Sequence, residues 1–287
     1  MTVREVGFDI PFGRIAGLRS GSADGPKVLA LHGWLDNAAS FLPLAGQLLA
    51  GPCADLDLVM LDLPGHGHSA HLGLGADYNL LVTVNAILDV ADALGWDRFA
   101  VLGHSMGAGI GSILAASLPK RVARLVAIEA LGALAEAPER TTTRLREAVA
   151  AARALSSKKL RVFPDLAAPI RARMQANQLS ESSARLLVER GVVAADGGFT
   201  WSSDPRLTLP AMQRMTEEQV RQLIAGIECP TRVVFADPPQ TYLPEPLRSE
   251  RAALLPQGEL VVLPGSHHLH MDAPEAVAAA IGGFFQA

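Results

Sequence analysis

The sequence predicts an α/β protein built on a mostly parallel sheet with helices on both faces. Short β-branched or leucine-rich runs recur along the chain, each ending in Gly, His or an acid. Helical patterns lie between most of them, and this alternation is the signature of a parallel sheet with crossover helices. Several of the runs are apolar at consecutive positions, as in strands covered on both faces.

Composition narrows the functional classes. The 287 residues are 49% hydrophobic and 19% charged, with mean hydropathy +0.23, enough apolar material for a large core and too much for a disordered chain. A net charge of −4 argues against a dedicated nucleic-acid binder, which needs surplus Lys and Arg against phosphate. Cys53 and Cys229 stand far apart without CxxC neighbours, so neither a disulfide framework nor a zinc cage is expected. The opening MTVREVGFDIPFG lacks the apolar stretch of a signal peptide, and no apolar run is long enough for a membrane span. The expectation is a soluble cytoplasmic protein with no membrane span.

In chain order, a weak antiparallel pair is read at 4–21, followed by strands at 27–33, 56–65, 98–105, 123–131, 230–236 and 258–265. A helix is predicted over 77–94, with Leu80, Val84, Ile87, Leu88, Ala91 and Leu94 on one stripe, Asp77 as N-cap and Gly95 as terminator. The alternation breaks between Leu131 and Pro230. There the sequence shows amphipathic helices at 138–155 and 181–190, and Thr216 with Gln219 forms a capping-box pair for a helix running to about Ile224. A structureless loop of that length would be anomalous. The expected organisation is a core of 1–132 and 229–287, with 133–228 as a helical lid.

Gly103-His104-Ser105-Met106-Gly107 fits G-x-S-x-G. The strand RFAVLGH enters it and a small-residue helix leaves it, the strand–turn–helix context in which a serine is presented as a nucleophile. All eight histidines fall at or just beyond the C-terminal ends of four predicted strands, along the edge where open α/β sheets bind ligands. His66, His68 and His71 read as loop-structuring or surface groups. Without nearby carboxylates or an i, i+4 helical pair they do not suggest a metal site, and no metal or cofactor is expected. The basic run Arg140, Arg144, Arg146, Arg153, Lys158, Lys159 and Arg161, against Glu139 and Glu147, reads as the solvated face of a helix. Attraction of an anionic substrate is its other reading.

His32-Gly33-Trp34, Asp62-Leu63-Pro64-Gly65-His66-Gly67-His68-Ser69, the Ser105 motif and Gly265-Ser266-His267-His268-Leu269-His270-Met271 together resemble the ordered landmarks of the α/β-hydrolase superfamily. Trp201 followed by Asp204-Pro205-Arg206-Leu207 is similar to its serine-hydrolase-like branch. The resemblance implies an eight-stranded, mostly parallel sheet with the lid between strands 6 and 7. It implies Ser105 as nucleophile, a histidine after the last strand as base, and an oxyanion hole from the backbone N–H groups of Trp34 and Met106. Counting back from Pro274-Glu275, the family pattern gives His267 rather than His268 or His270. An unactivated hydroxyl needs such a base, and the tetrahedral intermediate needs preorganised donors.

The acid departs from the family pattern. Its usual loop reads Ala236-Asp237-Pro238-Pro239-Gln240, with proline where the carboxylate belongs and Asp237 two residues early. Some superfamily members carry the acid instead at the strand end occupied here by Glu129, which is embedded in the apolar run Val126 to Leu131. A carboxylate there must be paired or hydrogen-bonded, with the catalytic histidine or with an arginine. The reading is a Ser105–His267–Glu129 triad, with Asp237 as the alternative acid. It acts as a cofactor-independent hydrolase on a small or medium carboxylic ester, in a chain that could form a homodimer. Thioester, lactone or C–C hydrolysis and perhydrolysis are compatible with the same triad, and a binding protein that has lost turnover is the rival from another class.

Overall fold

The apolar runs become strands because the chain has helices enough to cover both faces of a sheet. The computed structural model describes residues 1–51, 53–155 and 161–286. Strands β1 (Val3–Ile10) and β2 (Gly13–Gly21) form the antiparallel pair, followed by β3 (Lys27–Leu31), helix α1 (Leu42–Ala50), β4 (Asp57–Leu61) and α2 (Leu80–Ala93). Next come β5 (Phe99–His104), α3 (Met106–Ser117) and β6 (Val122–Ile128). The segment that follows holds α4 (Thr141–Leu155), α5 (Ala167–Asn177), α6 (Glu181–Gly191), the hairpin β7 (Val192–Ala195) and β8 (Gly198–Trp201), and α7 (Glu217–Ala225). The chain returns to the sheet with β9 (Thr231–Asp237), α8 (Leu247–Ala252), β10 (Gly258–Pro264), α9 (Leu269–Asp272) and α10 (Pro274–Ile281).

The main sheet has eight strands in the order β1-β2-β4-β3-β5-β6-β9-β10. β1 and β2 are antiparallel to each other, β2 is antiparallel to β4, and the remaining neighbours pair in parallel. Every residue of β4 and β5 is buried. Along β5 the side chains alternate between two cores. Phe99 and Val101 pack with α2 and α3, and Ala100 and Leu102 pack with α1 and α10. Burial of each of Phe99, Val101 and Leu102 contributes about 1.5–3 kcal/mol.

Two local readings change. The helix expected at 77–94 starts at Leu80, and Asn79 rather than Asp77 caps it, its side chain accepting from the Val82 N–H at 3.0 Å. The Thr216–Gln219 capping box forms as read, but the segment between β6 and β9 is not wholly helical. Its hairpin is made of two four-residue strands, none of whose residues is fully buried, so they carry no apolar run to betray them. A small core of Ile170, Leu179, Ala184, Leu187 and Val188 holds α5 and α6 together and reaches Met271 of α9. Val220 and Ile224 of α7 instead join the core beneath α2 and α3. Among the described residues no helix is long and apolar enough to cross a membrane.

Candidate active site

Parallel strands end along one edge, and the reversal of strand order between β3 and β5 opens a crevice there. Ser105 occupies the turn from β5 into α3 with φ 51° and ψ −116°. A non-glycine residue held so costs of order 1–3 kcal/mol and persists only where its surroundings over-determine it. Here its N–H donates to the Ile128 carbonyl at 2.8 Å, and its own carbonyl accepts from Ala108 and Gly109. The flanking glycines answer to packing. A Cβ on Gly107 would lie 1.8 Å from the Leu31 oxygen, and one on Gly103 would lie 2.5 Å from Ala108 Cα. The first turn of α3 is thereby pressed against β3 and β5, and its leading amides, Met106 among them, have no intrahelical acceptors. Trp34 follows β3, the strand paired with β5. Its indole N–H donates to the Leu207 carbonyl at 2.8 Å, and its side chain is half exposed.

Glu129 ends β6 at φ 61° and is 2% exposed. Its backbone N–H donates to Val234 at 2.9 Å, and one carboxylate oxygen accepts from the Ala236 N–H. The other lies 3.1 Å from His267 Nδ1. Asp237 behaves differently. Its side chain is 66% exposed and turned to Arg248, with 3.9 Å between charged atoms. His267 itself stays partly exposed, and its carbonyl accepts from His104 Nε2 at 2.8 Å. Among the described residues the Ser105 hydroxyl makes no direct hydrogen bond to His267.

Tyr242, a residue that the sequence reading missed, neighbours both. Its hydroxyl interacts with the Ser105 side chain and lies 3.1 Å from His267 Nδ1. Burial, with the Glu129 charge beside it, pushes the phenol up, so it remains a neutral donor. The one signal in the sequence is its place in the loop where the usual acid is missing.

The other histidines of the landmarks organise loops. His32 Nε2 accepts from the Leu63 N–H at 2.9 Å and His66 Nε2 accepts from the Leu35 N–H at 3.2 Å. Burial pushes His66 down to about 3, so it is neutral. His71 donates to the Ser202 carbonyl at 2.8 Å. Two landmarks distant in sequence meet here. The Asp204 N–H donates to the Gly65 carbonyl at 2.9 Å, Tyr78 donates to Asp204 at 2.8 Å, and Arg206 binds the carbonyls of Leu72, Gly73 and Ala76. Asp62, fully buried, receives Arg190 from α6 at 3.0 Å on both oxygens. Of the basic run, Arg144 is buried against Glu136 rather than solvated, and Lys158 and Lys159 lie outside the described residues.

Comparison with known proteins agrees with this architecture. Residues 26–274 match the profile of the alpha/beta hydrolase fold family. Serine hydrolase-like protein 2 of Homo sapiens is 32% identical over 99% of this chain and 94% of its own. A serine hydrolase-like protein of Danio rerio is 29% identical over 98% and 88%. Among solved structures, a hypothetical protein from Pseudomonas aeruginosa PAO1 superposes with TM-score 0.92 at 40% identity, covering 99% of both chains. The thioesterase domain from the curacin biosynthetic pathway superposes with TM-score 0.85 at 26% identity, covering 98% of this chain and 99% of that domain. The strained serine turn, the sheet order and the loops that converge on it are therefore those of a hydrolase, and the chain belongs to the α/β-hydrolase family, alongside the serine hydrolase-like proteins.

Proposed function

We propose that this hydrolase cleaves a carboxylic ester of small or medium size through an acyl-enzyme intermediate on Ser105. The observation that carries the reading is the 3.1 Å contact between the buried Glu129 carboxylate and His267 Nδ1, beside a serine held at positive φ. Glu129 accepts a hydrogen bond from the Nδ1–H and so leaves Nε2 of His267 unprotonated, ready to take the proton of the Ser105 hydroxyl. The Ser105 oxygen then attacks the ester carbonyl. The N–H groups of Trp34 and Met106 receive the developing oxyanion, a contribution of roughly 3 kcal/mol for each donor. His267 returns the proton to the departing alcohol, and water repeats the sequence to release the acid. Before attack the serine hydroxyl must rotate from Tyr242 to His267, so an incoming substrate competes with Tyr242 for this space. Segment 133–228 acts as a lid over the crevice, pinned to the sheet side by Arg190 on Asp62 and by the Trp34–Leu207 contact.

A thioester is the second reading, favoured by the similarity to a thioesterase domain. Fluorophosphonate labelling tests the shared mechanism, because only an activated serine reacts quickly. Wild type should label and Ser105→Ala should not. A panel of p-nitrophenyl esters and acyl thioesters of increasing chain length then separates the substrate classes. No labelling of the folded wild type would leave the chain a binding protein on a hydrolase fold.

A further inference from the structure

His104 and His268 each stand beside a residue of the proposed triad, but both side chains turn inward to Asp36. Asp36 is 3% exposed, His104 0% and His268 2%. The hydrogen atoms are fixed by the partners. His104 Nε2 meets the His267 carbonyl at 2.8 Å, and a carbonyl only accepts, so the proton resides on Nε2. Its Nδ1 then presents a lone pair, without a hydrogen-bond partner, to Asp36 Oδ2 at 3.9 Å. A cation between these two buried acceptors would satisfy both. His268 Nε2 donates to the same Asp36 oxygen at 3.2 Å, a proton that a bound ion would displace.

We propose that Asp36, His104 and His268 form a binding site for a divalent first-row transition-metal ion, zinc being the best match. The three ligand atoms all lie within 4.8 Å of one another. Two ligands on tetrahedral zinc stand about 3.4 Å apart; the two distances to Asp36 Oδ2, 3.2 Å and 3.9 Å, lie on either side of this, and the two imidazole nitrogens, within 4.8 Å of each other, close on a shared ion by side-chain rotation. Two imidazoles and one carboxylate suit zinc with an open fourth position and do not suit magnesium or calcium, which take oxygen. Gly33 leaves the space. A Cβ there would sit 2.9 Å from His104 Nδ1 and 3.1 Å from Asp36 Oδ2. The His270 ring lies against that of His104, with 4.0 Å between centroids and a tilt of 34°. Arg173 binds the other Asp36 oxygen at 2.9 Å, which leaves Oδ2 for the ion while its charge tempers affinity. The ligands come from the loop after β3, the last residue of β5 and the turn after β10, so an ion ties together the three segments that carry Trp34, Ser105 and His267. The inference concerns binding and stands whether or not the triad reading does.

Crystals of the full chain soaked in zinc chloride, with anomalous data at the zinc edge, locate the ion, and calorimetry with zinc in solution measures its affinity. The expected result is one peak among the three side chains and one ion per chain in solution. Binding should weaken at least about tenfold in His104→Gln and in His268→Gln and stay unchanged in His71→Gln and His267→Gln. Zinc should raise the Tm of wild type and not of His104→Gln. Absence of a peak, peaks only at His68, His71 or His267, a peak without binding in solution, or undiminished affinity in a folded His104→Gln protein would overturn the proposal. Should the variants fail to fold, the wild-type anomalous map and titration decide it.

Discussion

Glu129 and Asp237 end neighbouring strands at the same edge of the sheet, yet the two carboxylates meet opposite fates. Glu129 closes β6 at positive φ, with its side chain sealed among apolar neighbours and held by the Ala236 amide and His267. Asp237 closes β9 with its side chain in water, loosely facing Arg248. Strand order alone does not separate them, since β6 and β9 are paired. They differ in backbone and partner: Glu129 is held at φ 61°, and its carboxylate reaches His267 in the loop after β10. An ionised group in an apolar pocket costs several kcal/mol unless compensated, so a carboxylate kept there has a partner to serve, while one in water has none to specify.

The comparison has meaning only if Ser105 is the nucleophile. Ser105→Ala deletes one hydroxyl in a preformed turn and should abolish ester hydrolysis and phosphonate labelling with the fold intact by circular dichroism; a variant retaining more than a few per cent of turnover would refute the mechanism. Glu129→Gln removes the charge that fixes the His267 tautomer. Serine-protease triads lose about 10⁴ in kcat from the equivalent change, and steady-state kinetics should show a loss approaching that scale in a folded protein. Arg190→Ala sharpens the contrast, because it breaks a buried pair whose service is structural. It should cost about 3–5 kcal/mol in urea unfolding, while folded Glu129→Gln loses far less stability than activity. Should Arg190→Ala instead leave the urea midpoint unchanged, Asp62 would need another counter-charge.

Tyr242→Phe comes next in size. Losing a hydroxyl that competes with substrate but carries no charge should change kcat less than about tenfold and move KM more than kcat. A loss as large as that of Glu129→Gln would promote the phenol into the proton path. The smallest effect belongs to Asp237→Asn, less than about tenfold in kcat/KM. If Asp237→Asn proved the more damaging of the two carboxylate changes with both proteins folded, the acid would return to the usual loop and Glu129 would become a structural residue.

The central strands were legible because a strand covered on both faces carries consecutive apolar residues, as 28–31, 58–61, 99–102 and 125–128 do. The turn at Ser105 was legible because two glycines flank a serine between a strand and a small-residue helix. Glu129 could be singled out because a lone acid within an apolar run is costly. The hairpin β7–β8 escaped because its short, half-covered strands carry neither an apolar run nor a clean alternation. Asp77 was preferred to Asn79 as a cap because both are good caps and only the local torsions choose between them.

The sequence by itself determined the alternation of strands and helices, the sheet they imply, the serine turn and the candidate acids, all of which are written in residues adjacent along the chain. Only the tertiary structure decided which carboxylate faces His267, that Tyr242 stands at the serine, that Asp204 and Arg206 brace the loop after β4, and that Asp36, His104 and His268 converge. Those arrangements join residues from loops far apart in sequence. Their positions follow from strand order, strained torsions and long-range hydrogen bonds, none of which leaves a periodic trace in the chain.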